Sequence, residues 1–138
     1  MGVVAPGGRP DATNVIDRPM VWGIANVGID HEQFLGSELA GIAAEKGGIA
    51  KPDVPLVCLS QAPEAEAAIK RVAQERGASL ILEGRDWMSD PALVPSLPGR
   101  HQVRNANLAW QMLSAQDAIT VSRQIFVEAI KATHWPAR

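Results

Sequence analysis

The sequence predicts an α/β fold: a mostly parallel sheet with flanking helices, followed by two C-terminal helices. Two observations point there. Short apolar runs without alternation, at 20–28, 56–59 and 79–83, read as strands buried on both faces. Between them lie segments of helical period closed by glycine, which is the βαβ rhythm of a parallel sheet with right-handed crossovers. At 138 residues the chain is one domain.

Residues 1–19 are rich in glycine and proline and read as loop. Residues 20–84 carry the βαβαβ unit. Its first helix is expected from Glu32 to Lys46, stopped by Gly47 and Gly48. The second is expected after an N-cap at Ser60, with Pro63 in its first turn and a stop at Gly77. Ala65, Ile69, Val72 and Ala73 share its apolar face. Residues 85–100, with several prolines, form an irregular connection. Over 101–135 two helices follow, one with Val103, Ala106, Trp110 and Leu113 in a stripe, the other with Ile119, Ser122, Phe126, Ala129 and Ile130. Three strands are few for such a sheet, and an exposed edge would offer a second copy a place to pair as a homodimer. Parallel folds of this kind place ligands at the carboxyl ends of strands, where the strand order reverses.

Composition narrows the function. Thirteen basic residues against fifteen acidic leave no cationic surplus for holding nucleic acid or an anionic membrane. No apolar run is long enough to span a bilayer, and the N-terminus lacks the pattern of a signal peptide, so a cytoplasmic protein is expected. Cys58 is the lone cysteine and sits in an apolar run, which suits a buried structural thiol better than a nucleophile. The four tryptophans are scattered as packing residues.

Four places could carry chemistry. His31 follows the first buried strand, beside Asp30. It is either a metal ligand or a solvated side chain in a helix turn that Asp30 caps. Lys46 shares a face with Leu35, Leu39 and Ile42. It is either partly desolvated, and then able to form a carbamate with carbon dioxide, or a last-turn lysine complementing the helix dipole. Asp11, Ala12, Thr13 and Asn14, after Gly7-Gly8, form a loop fit to hold a small ligand or simply a surface turn. It is not a Walker A loop, since no Gly-Lys-Ser/Thr follows. Gln102 and Asn105, three residues apart and next to His101, could read a planar heterocycle or satisfy backbone groups at a helix start.

Taken in order, these motifs resemble the bifunctional dihydrofolate synthase/folylpolyglutamate synthase family of the Mur ligase superfamily. The matching elements are Gly7-Gly8-Arg9 through Asp11-Ala12-Thr13-Asn14, then Val27-Gly28-Ile29-Asp30-His31 with Leu35-Gly36. Ile42-Ala43-Ala44-Glu45-Lys46-Gly47-Gly48-Ile49 follows, then Gly99 to Ala106 and Trp135-Pro136-Ala137-Arg138. The resemblance covers nearly the whole chain and corresponds to the second half of the family's central ATPase domain.

It implies an ATP-dependent ligase, with Mg2+, that adds L-glutamate to dihydropteroate or a folate through an acyl phosphate. By resemblance His31 binds magnesium, a carbamylated Lys46 positions it, and Asn105, with His101 and Gln102, meets the adenine of ATP. Asp11, Ala12 and Asn14 lie at the substrate. The family's metal-binding glutamate falls at Val3, and Ala5 and Pro6 replace its Gly and Leu. The family's phosphate-binding loop lies upstream of the matched segment, so the segment is expected to be inactive alone. The competing expectation is a non-catalytic binding domain on the same scaffold.

Overall fold

The computed structural model of the chain describes residues 2–3, 16, 18–27 and 36–134. Its elements are β1 (Gly2–Val3), β2 (Trp22–Ile24), α1 (Gly36–Gly47), β3 (Pro55–Cys58), α2 (Pro63–Arg76), β4 (Ser79–Leu82), α3 (His101–Ser114) and α4 (Arg123–Ala132). The four strands are all parallel and run in the order β1-β2-β3-β4. The sheet therefore gains a strand inside the segment expected to be loop. Gly2 and Val3 pair with Trp22 and Gly23, a ladder too short to leave any periodicity in the sequence. Strand order does not reverse among the described strands, so no switch point lies between them.

Successive crossovers that each add the next strand on the same side put their helices on one face. That face holds Trp22, Ile24, Leu56, Cys58 and Leu82 against Ala43 of α1 and Ala65, Ala68, Ile69 and Ala73 of α2. The opposite face holds Val21, Val57 and Leu59, with Trp87, against Leu108 and Met112 of α3. Strands β2, β3 and β4, with the residue before β2, thus alternate between two apolar clusters, and because both faces are covered the alternation is invisible in hydropathy. A third cluster, away from the sheet, packs Leu93, Ala106 and Phe126 with Trp110, Leu113, Val127 and Ile130 between α3 and α4. There the Trp110 and Phe126 rings lie 5.1 Å apart at 50°, and the Arg123 guanidinium sits 5.7 Å over the indole.

The apolar stripe expected on α3 faces α4. The helix meets the sheet instead through Arg104, Leu108 and Met112, one stripe at four-residue spacing whose first member is charged.

Two helix starts also differ from expectation. Ala62, not Ser60, precedes α2, without a side-chain cap, because Pro63 at the first position has no N–H to satisfy. Helix α4 begins only at Arg123, where the Ser122 hydroxyl accepts the Ile125 N–H, and Ile119 stays exposed. The stop at Gly77 stands: its φ of 70° is left-handed, and the Ala78 N–H donates to Ala73 O at 2.9 Å.

The outer edge of β4, a candidate surface for a second copy, is covered from within. The Arg85 side chain donates to Leu80 O at 2.7 Å, and Asp86 accepts the Leu82 N–H at 2.8 Å. No helix among the described residues is long and apolar enough to cross a membrane.

Gly23 sets how closely α3 approaches β2. A methyl group there would overlap the sulfur of Met112, which is itself 1% exposed and has little room to move. Gly23→Ala is expected to destabilise the fold by about 1–3 kcal/mol through overpacking. A second change, Met112→Ala, should return part of that loss in urea denaturation; additive losses would show that the two positions do not meet.

Candidate functional site at the carboxyl edge of the sheet

The carboxyl ends of β2, β3 and β4 are joined by the last backbone bonds, Leu59 N–H to Ile24 O at 3.0 Å and Glu83 N–H to Cys58 O at 2.9 Å, and past them by side chains. After β3, the Gln61 carboxamide donates to Ala25 O at 3.1 Å and Leu59 O at 2.9 Å, and accepts the Val27 N–H at 2.8 Å. One amide thus satisfies backbone groups from two strand ends that leave the sheet. After β4, Glu83 does the corresponding work with a charge. Its Oε2 accepts the Ser60 N–H at 2.8 Å and Arg104 Nη2 at 2.7 Å, while Oε1 accepts the Ser89 hydroxyl. Arg104 Nη2 also lies 3.0 Å from Ser60 Oγ and 3.1 Å from Ser60 O.

Burial pushes the Glu83 carboxyl toward its neutral form. The bonds from Ser89, Arg104 and Ser60, with the arginine's charge, outweigh that and hold its pKa below the usual range for glutamate. Its neighbour Cys58 goes the other way. Burial pushes that thiol up to about 12, against a smaller opposing effect of the Gln61 hydrogen bond, so it stays protonated and serves as packing.

Arg104 brings α3 to this edge, and with it the amides that the sequence singled out. Gln102 and Asn105 are half-buried, with Asn105 Nδ2 3.4 Å from Gln102 Oε1. Both line an open groove of about 180 Å³ with Pro95, Leu97, Ala106, Ile130 and Thr133. Amide donors and acceptors between apolar walls suit a flat heterocycle. His101 is exposed and does not line that groove. Beside the groove, Asn107 is 1% exposed. Its Oδ1 accepts the Asp90 N–H at 2.7 Å and its Nδ2 donates to Asp90 O at 2.9 Å, which fixes the loop before α3.

Lys46 lies in the last turn of α1, half-buried beside the fully covered Ala43 and Gly47. It belongs to the face of the sheet opposite α3, so it does not share the groove of Gln102 and Asn105. His31, Asp11, Ala12 and Asn14 lie outside the described residues. No group of three metal-ligating side chains occurs among the described residues, and a lysine ammonium cannot ligate a cation. A Mg2+ ion would therefore need the carbamate form of Lys46 together with ligands from undescribed positions.

Sequence reasoning missed Gln61, Glu83 and Arg104. The available signal was position: Glu83 stands directly after β4 and Gln61 three residues past β3, where side chains must replace ladder hydrogen bonds.

No protein-family model matches the chain. It is 46% identical over 104 residues to a folylpolyglutamate synthase of Neurospora crassa, matching 75% of this chain and 19% of that protein. Among solved structures, an FPGS–AMPPCP–folate complex superposes with a TM-score of 0.79 at 28% identity, covering 98% of this chain and 38% of the other. E. coli FolC in complex with DHPP and ADP gives 0.75 at 31% identity, over 98% and 34%. The chain spans under a third of the length of the curated relatives it matches.

Because the folded pKa of Glu83 is depressed, its contribution to stability is present above the unfolded value, near 4.3, and lost as pH falls through the folded value. Glu83→Gln is expected to cost about 2 kcal/mol at pH 7. In chemical denaturation that difference from wild type should shrink as pH falls below about 4; a gap constant with pH would mean the charge contributes nothing.

Proposed function

We propose, from the premise that this chain belongs to the folylpolyglutamate synthase family, that it carries part of the machinery of an ATP-dependent ligase joining L-glutamate to dihydropteroate or a folate. The observation that carries the nucleotide part is the groove in which Gln102 and Asn105 present paired amides between apolar walls. It lies in a chain whose structural likenesses include complexes with AMPPCP and with ADP.

In the reaction proposed, a folate carboxylate takes the terminal phosphoryl group of ATP and releases ADP. The amine of glutamate then attacks the acyl carbonyl, expels phosphate and gives up a proton to leave an amide. Asn105 and Gln102 hold adenine, while His101, which resemblance puts with them, lies outside the groove they line; Asp11, Ala12 and Asn14 meet the pterin-bearing substrate. Lys46 is half-buried in the last turn of α1, and its neutral amine is the reactive form. That amine adds carbon dioxide and loses a proton to become a carbamate, an anion able to hold Mg2+ with His31. The ion, when bound, offsets phosphate charge. A cytoplasmic location belongs to the same proposal.

Two substitutions test the reading in the protein carrying this chain. Lys46→Ala is expected to lower ATP-dependent incorporation of labelled glutamate into folate at least about a hundredfold, with little change in melting temperature. Asn105→Ala is expected to raise the KM for ATP about tenfold and leave the KM for glutamate unchanged. Near wild-type rates in Lys46→Ala would remove the lysine from the machinery, and an unchanged KM for ATP in Asn105→Ala would empty the groove of its role.

A further inference from the structure

Helix α3 reaches the sheet after the irregular connection, and its apolar contacts through Leu108 and Met112 do not by themselves fix its height along the strands. Hydrophobic packing is non-directional, whereas charged hydrogen bonds are not. Arg104 supplies the directional contact. It is the residue just before Asn105, and its Nη2 lies 2.7 Å from Glu83 Oε2, 3.0 Å from Ser60 Oγ and 3.1 Å from Ser60 O. Glu83 is held in turn by the Ser60 N–H at 2.8 Å and by Ser89, and its side chain is only 10% exposed. The tie therefore runs from α3 to the carboxyl ends of both β3 and β4. A slip of α3 by one residue moves it about 1.5 Å, enough to break the arginine's bonds and displace both amides in the groove by the same amount.

We infer that Arg104 is a positioning residue for nucleotide recognition: through Glu83 and Ser60 it sets the register of α3, so that Gln102 and Asn105 stay aimed at the base. The inference rests on the functional reading above and adds to it a residue that touches no substrate.

The test uses the protein carrying this chain, with ATP and GTP as alternative phosphoryl donors. Arg104→Met is expected to raise the KM for ATP about tenfold and to lower the ATP-over-GTP preference by a similar factor. The KM for glutamate and kcat at saturating ATP should stay within about twofold of wild type. Arg104→Lys, which keeps a charge for Glu83, should recover most of the loss, and Glu83→Gln should reproduce part of it. A merely structural role would lower stability and active fraction while leaving the KM for ATP and the donor preference alone. Arg104→Met or Glu83→Gln, folded and active with wild-type values of both, overturns the inference, and so does failure of both to fold. A wild-type protein that neither ligates glutamate nor binds ADP in calorimetry sinks the functional reading itself. Wild-type ligation with an indifferent Arg104→Met sinks only the positioning role.

Discussion

A single carboxylate at the end of β4 fixes the geometry on which the candidate site depends. Glu83 is largely shielded from water, and a charge in that setting is tolerated only when its lone pairs are engaged. Three donors from three segments engage it: the Ser60 N–H after β3, the Ser89 hydroxyl in the following connection and the Arg104 guanidinium of α3. Ser60, Ser89 and Arg104 lie 23, 6 and 21 residues from Glu83, so the carboxylate gathers parts of the chain that local propensity could not bring together. Truncating either member of a shielded pair is costly mainly because it strands the other.

The need for such a tie follows from the topology. The order β1-β2-β3-β4 sends α1 and α2 to one face, where short connections on both sides dictate the placement of α2. The other face is covered by α3, which arrives by a long connection with no strand behind it among the described residues. Its position is set by contact alone. Gly23 fixes the depth of approach, since its missing side chain admits Met112. Arg104 fixes the height at the carboxyl edge, and Asn107 holds the incoming loop at Asp90. Depth, height and approach are thus controlled by separate residues of one helix or its partner strand.

Much of this was legible in the sequence, and two of the exceptions share a cause. The βα alternation, the stop at Gly77 and the buried Cys58 follow from local chemistry, which a linear reading captures. So do Gln102 and Asn105, whose three-residue spacing puts them on one helix face. The stripe Arg104, Leu108 and Met112 escaped because a charge heads it, and a search for apolar periodicity passes to Ala106, Trp110 and Leu113, which serve α4. Ser60 looked like a helix cap because serine near a helix start usually is one. Its hydroxyl is engaged by an arginine distant in sequence, while Pro63 removes part of the demand for a cap. Both of these misses are long-range polar contacts that outcompete a local preference.

The same logic explains why the polar run around Asn105 holds so many hydrogen-bonding side chains. Arg104 and Asn107 spend theirs on the protein, one on the strand ends and one on the Asp90 backbone. Gln102 and Asn105 spend only a long mutual contact and keep the rest of their donors and acceptors for the groove. Binding groups held by a rigid frame lose less entropy when a ligand arrives than groups that must first be ordered. Anchoring side chains therefore stand beside the groove-facing amides on the same two turns, and under the proposed function a helix carrying only the second pair would have to recover the cost of its own placement from its ligand.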